Sequence, residues 1–166
     1  MKKLLIVVVI IIIAIAGWFI FRNFQDTSEP TATPMRTVKL FYYNPENDKD
    51  STGNLQCTEQ GLSPIEREIP ITQTPIQDTI RLLLKGEINA KEHISGITTE
   101  FPLEGFVLMA ASLRDEVLTL AFYDPSNRTS GGSCRVNILR AQVEATAKQF
   151  PGIKEVRFSP ESLFQP

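Results

Sequence analysis

Cysteine and histidine are the side chains in this chain best suited to covalent chemistry, and they are scarce: Cys57, Cys134 and His93. Cys134 closes the run Thr-Ser-Gly-Gly-Ser-Cys at residues 129–134, and an amphipathic stretch starts directly after it. Three chemistries fit such a run. Two adjacent glycines at a helix start could cradle a phosphate on free N–H groups, but no Walker-type lysine pattern accompanies them. A thiol at a helix N-terminus could be a nucleophile, because that position favours thiolate; it would need His93 as base, with no third group in view to orient it. The third reading is a joint, in which Ser130 or Ser133 caps the helix and Cys134 is tied to Cys57. Two cysteines, an even count, favour a disulfide in an oxidising compartment and two free thiols in a reducing one.

A second candidate site lies in residues 48–59, DKDSTGNLQCTE. The run fits the template of a calcium loop, with Asp48, Asp50, Thr52, Asn54 and Glu59 as oxygen donors and Gly53 at the sharp turn. The flanks are strand-like rather than helical, so a plain solvated hairpin loop fits the same residues. Apart from that calcium ion, no cofactor is expected. No pair of carboxylates has a spacing suited to acid–base work, and the chain is expected not to be an enzyme.

Which compartment these side chains meet is set by the N-terminus. Met1, Lys2 and Lys3 precede residues 4–21, eighteen residues without a charge. That is the lower limit for a helix crossing roughly 30 Å of hydrocarbon. The lysines lie on the near side, so the positive-inside bias predicts a single-pass anchor in the cytoplasmic membrane, N-terminus inside and domain outside. Ala14 and Ala16 offer the small-residue pattern of a signal peptidase site, but Trp18 to Phe21 continue the apolar run past it.

The expected organisation is an anchor over residues 1–22, a disordered Thr/Pro-rich tether over 23–36 and one domain over 37–166. Beyond residue 22 there are 14 basic against 19 acidic residues. With no basic cluster interleaved with aromatics, nucleic acid is excluded as an expected partner.

Within the domain, residues 37–43 and 64–70 read as strands. Thr74, Pro75 and Gln77 read as a capping box opening a helix with Ile76, Ile80, Leu83 and Leu84 on one stripe, and Gly86 ends it. Residues 106–113 and 117–123 read as a hairpin. A second helix over 134–149 carries Val136, Leu139, Val143 and Ala147, and residues 153–158 form a last strand. The order ββαββαβ predicts an α+β two-layer sandwich, a small mixed sheet with two helices on one face.

Four of these segments, TPIQDTIRLLLKG, ASLRDEVLTLAF, the SGGS run and ATAKQFPGIKEVRF, resemble the GerMN domain family of sporulation and spore germination proteins. The resemblance spans residues 38–158; Glu116 stands where the family's hairpin usually has Gly. It implies a bacterial envelope protein whose fold is similar to ring-building domains. It also implies association with other envelope proteins or with itself, in sporulation or germination, and no catalytic residues.

Overall fold

The computed structural model describes residues 11–19 and 33–166, and the chain divides into two units, Met1–Thr33 and Pro34–Pro166. In the first unit, residues 11–19 are helical and exposed. The rest of the predicted span and residues 23–32 of the tether lie outside the described residues. Among the described residues no helix is long and apolar enough to cross a membrane.

In the second unit, β1 (Met35–Tyr43) pairs antiparallel with β2 (Leu62–Pro70), joined by a long loop with two 3-10 turns, Pro45–Asp48 and Glu59–Gly61. Helices α1 (Pro75–Leu84) and α2 (Ala90–Ile94) follow. Then β3 (Val107–Arg114) turns into β4 (Val117–Tyr123), and α3 (Ser133–Lys148) crosses to β5 (Glu155–Ser159), which lies parallel to β4.

The apolar stripes explain the packing. Ile80, Leu83 and Leu84 of α1 and Val136, Leu139, Val143 and Ala147 of α3 are all buried. They meet Leu40 of β1 and Leu118, Leu120 and Phe122 of β4 in one core. Gly86 is required twice over. Its φ is +64°, and a Cβ there would stand 1.8 Å from the Phe101 carbonyl oxygen. The C-terminal tail also belongs to the core. Phe164 is buried, its ring 4.8 Å from Phe158 and 5.9 Å from Phe106 between centroids, both edge-on.

The sheet corrects the expectation. There are two sheets, β1–β2 and β3–β4–β5, instead of one, and only the second is mixed. The reason lies on the free edge of β1, which side chains occupy. The Lys39 N–H donates to Gln149 Oε1 at 2.7 Å, and Gln149 Nε2 donates back to the Lys39 carbonyl at 2.6 Å. The Phe41 N–H donates to Thr146 Oγ1 at 3.0 Å. Tyr43 exchanges backbone bonds with Thr98, 3.1 and 2.7 Å. An edge whose N–H and C=O groups are already satisfied offers no ladder to a third strand.

A second difference is α2, inside what reads as an irregular connection. Its N-cap Asn89 accepts from the Glu92 N–H, and the Glu92 carboxylate accepts from the Asn89 N–H, both at 2.9 Å. The capping box expected at Thr74 is not formed. Thr74 is the N-cap of α1 but makes no side-chain bond to the helix backbone. Its hydroxyl and that of Thr72 donate instead to Asp78, in the first turn of α1.

Candidate functional site

Cys57 and Cys134 are joined as a disulfide, Cα atoms 5.1 Å apart, across 77 residues of chain. The bridge ties the β1–β2 loop to the first turn of α3. Cys134 therefore carries no free thiol, and the nucleophile reading falls with it; His93 sits exposed on α2. Cys57 reaches the bridge in a left-handed conformation, φ +57°.

The run 129–134 is a joint built differently from the expected cap. Gly132 is the N-cap of α3 and has no side chain to bond; Ser133 is already the first helical residue. The Ser130 hydroxyl donates to the Asn127 carbonyl at 2.8 Å, away from the helix. Neither serine caps α3. The loop carbonyls are gathered by Arg135, whose guanidinium donates to the Ser130 and Arg128 carbonyls and to Glu100, the last at 2.6 Å. The φ of Gly131, +150°, favours glycine, and the Arg135 side chain passes 3.2 Å from where a Cβ would lie. Thr129, fully buried, holds the preceding loop by donating its N–H and hydroxyl to Asp124 at 2.9 and 2.8 Å.

The 48–59 loop is organised around its own carboxylates. Asp48 is buried and accepts from the Tyr43 hydroxyl, the Thr58 hydroxyl and the Thr58 N–H, the last at 2.6 Å. Burial works to raise its pKa, yet the combined bonds from Thr58, Tyr43 and the Cys57 backbone hold it below the ordinary carboxylate range. Tyr43 is pushed up, first by its own burial and then by the Asp48 carboxylate. Asp50 is exposed and accepts from the Thr52 hydroxyl and N–H, the Asn54 N–H and the Gln56 amide, at 2.6 to 3.0 Å. Those bonds, led by the Thr52 hydroxyl, bring its pKa to about 2.

Gly53, φ +86°, makes the sharp turn the template asks of it, but inside a miniature hairpin bridged at Lys49 and Leu55. Glu59 stands exposed in the second 3-10 turn. The five predicted donors thus lie in one loop, with the two aspartates engaged by protein N–H and O–H groups. Among the described residues no group of three or more His, Cys, Asp and Glu side chains could hold a metal ion.

Beside the bridge runs an open groove of about 440 Å³, walled by Cys57, Thr58 and Glu59 on the loop and by Asn137, Arg140 and Glu144 on α3. Arg140 and Glu144 pair with each other at 2.6 Å. The groove is polar; of its two carboxylates, Glu59 stands on the loop wall and Glu144, on the α3 wall, is engaged by Arg140.

Arg67 stands on β2 between Glu66 and Glu68 but forms an ion pair with neither. It forms instead a forked pair with Glu92, 2.7 and 2.8 Å, and donates to the Glu87 carbonyl, which fastens α2 to β2. The pair holds the Glu92 pKa down, chiefly through the Arg67 hydrogen bonds. An Asn-x-x-Glu run at residues 89–92 is the legible signal for that helix start.

No curated protein matches this chain. Among solved structures it is similar to the tandem GerMN domains of the sporulation protein GerM from Bacillus subtilis. The TM-score is 0.54 at 18% identity, over 83% of this chain and 44% of that one. This chain therefore spans less than half of that relative, and at this identity the likeness concerns the fold. Residues 39–161 match the family described as Germane, sporulation and spore germination, and the chain belongs to that family.

Proposed function

We propose that this chain is a non-enzymatic assembly domain of the bacterial envelope, acting in sporulation or germination. Residues 4–21 anchor it in the cytoplasmic membrane, and the unit Pro34–Pro166 lies outside, where it binds other envelope proteins or further copies of itself. The observation that carries the reading is the Cys57–Cys134 bridge. It uses both cysteines of the chain, and such a bridge persists outside the cytosol, where thiols are not kept reduced. The eighteen uncharged residues behind two lysines supply an anchor of fitting orientation.

The experiment joins topology to capture. A C-terminal reporter active only outside the cytosol should be active. In intact cells, cysteine labelling without prior reduction should leave both sulfurs unmodified. Crosslinking in the membrane should then recover envelope proteins or multimers of the chain. A C-terminus found in the cytosol, or two unlinked sulfurs in native material, would overturn the compartment. A chain that captures neither partner nor copy would overturn the assembly role.

A further inference from the structure

The two sheets treat their outer edges differently, and the open one has the features of a docking site. β3 is hydrogen-bonded to β4 on one side and, among the described residues, to no strand on the other. Val107, Met109 and Leu113 along it are exposed, at 46%, 62% and 41%. Two depressions lie where α1 runs beside this strand. One, of about 320 Å³, has Leu84, Phe106 and Leu108 as its apolar floor and Arg81 and Lys85 on its rim. The other, of about 210 Å³, is floored by Ile76, Ala111 and Leu113 near the start of α1. No carboxylate lines either depression. Among the described residues Lys85 and Arg114, at the hairpin end of β3, have no ion pair, and Arg81 reaches only Asp78, at 4.0 Å.

We propose that this edge binds an extended acidic segment of a partner protein, which adds to β3 as a further strand. The inference rests on the assembly reading above and names its surface and the chemistry of what it binds. Strand addition supplies main-chain bonds to the free edge, and alternate side chains of the incoming strand point to one face. Apolar residues at such positions enter the two depressions. Carboxylates at the other positions of that same face meet Arg81 and Lys85 on the rim, and one on the opposite face meets Arg114 near the hairpin. The charge complementarity is notable because the chain as a whole is acidic, net −2, so the cationic rim is a local departure that selects an acidic occupant.

The test uses the full chain in detergent and a fluorescent Glu/Leu peptide of Leu-Thr-Glu-Thr repeats, which sets Leu and Glu in turn on one face, read by anisotropy. The peptide should bind, more weakly as salt rises. A Lys/Leu peptide should bind at least tenfold less well, and so should the Glu/Leu peptide N-methylated on alternate amides, which keeps the side chains but cannot extend a ladder. The double variant Arg81→Glu with Lys85→Glu should weaken the parent peptide at least tenfold while leaving the thermal midpoint of the protein near its original value.

Equal binding of the N-methylated or the Lys/Leu peptide, or indifference to the double variant, overturns the proposal. So does failure of the Glu/Leu peptide to bind. If membrane crosslinks form and the peptide neither binds nor competes with them, the assembly reading stands and this surface is the wrong one.

Discussion

The β1–β2 and β3–β4 hairpins are of similar strand length and are finished in opposite ways. The first is joined by an eighteen-residue loop over residues 44–61, stapled to α3 by Cys57–Cys134 and filled by the buried Asp48. Its outer β1 edge is closed by Gln149, Thr146 and Thr98. The second turns on two residues, Asp115 and Glu116, both left-handed, and leaves the β3 edge open beside exposed apolar side chains. Exposed edges are templates for pairing, and proteins blunt them where pairing is unwanted. By that measure the β1 edge is closed to pairing and the β3 edge is able to accept a strand.

Breaking the staple should have the largest effect. In the chain-entropy account, a bridge closing a loop of this length is worth about 4 kcal/mol. The Cys57→Ser, Cys134→Ser double variant should lose close to that in denaturant titration, and reduction of the parent should reproduce the loss. The hairpin registers should survive, because Asp48 and the β1 edge contacts do not depend on sulfur. A reduced protein as stable as the oxidised one would show that the staple is not what holds the first hairpin's loop.

Asp48→Ala comes next. It leaves the buried Tyr43 hydroxyl and the exposed Thr58 donors without their acceptor, a loss of about 1–3 kcal/mol carried mainly by Tyr43. The same site fixes the pH dependence. The folded pKa of Asp48 is below its unfolded value, so its contribution is whole above about pH 4 and disappears as pH falls through the folded value. Glu92, held down by Arg67, acts in the same direction. Melting points of the parent should therefore fall steeply on the acid side of pH 4, and Asp48→Ala should flatten that fall. A variant with the parent's slope would remove Asp48 from the account. Millimolar calcium should leave both melts unchanged, since the loop aspartates Asp48 and Asp50 already accept protein hydrogen bonds.

These sites also mark the boundary of what was readable. The helices α1 and α3 and the strands β1, β2 and β4 followed from stripes such as Ile80–Leu83–Leu84 and Leu118–Leu120–Phe122, because burial on one face imposes a period on neighbouring residues. Partners distant in sequence leave no such period. Lys39 and Gln149 are 110 residues apart, and nothing local announces that an amide side chain will close a strand edge. Asp48 fitted a metal template because aspartates at that spacing suit a cation. What decided its role was Tyr43 on one side and Thr58 on the other, brought to it by the fold. The short helix α2 buries none of its five residues and so has no apolar stripe, though its capping box was spelled out at Asn89 and Glu92. Phe164 lies in a tail with no periodicity at all.

Opening the closed edge of β1 tests the contrast between the hairpins. Gln149→Ala removes the amide that bonds both backbone groups of Lys39, a loss of about 1–2 kcal/mol. The more telling readout is hydrogen exchange. The Lys39 amide should lose protection while the Ala110 and Ser112 amides of β3 keep theirs. Unchanged protection at Lys39 would mean that water serves the edge as well as the side chain does.

The smallest effect tests the other hairpin and has the opposite sign. Glu116 occupies a left-handed position, φ +65°, where a side chain costs roughly 1–2 kcal/mol relative to glycine. Part of that cost is returned by the pair with Lys154 at 2.7 Å, which is exposed and worth little. The Glu116 carbonyl, which accepts the Lys154 N–H at 2.8 Å, is retained by any residue at this position. Glu116→Gly should therefore stabilise the protein by about 1 kcal/mol, since the turn geometry is relieved and only a surface ion pair is lost. If the variant is instead less stable, the Lys154 pair contributes more than an exposed pair ordinarily does, and the second hairpin is held from β5 as firmly as the first is held from α3.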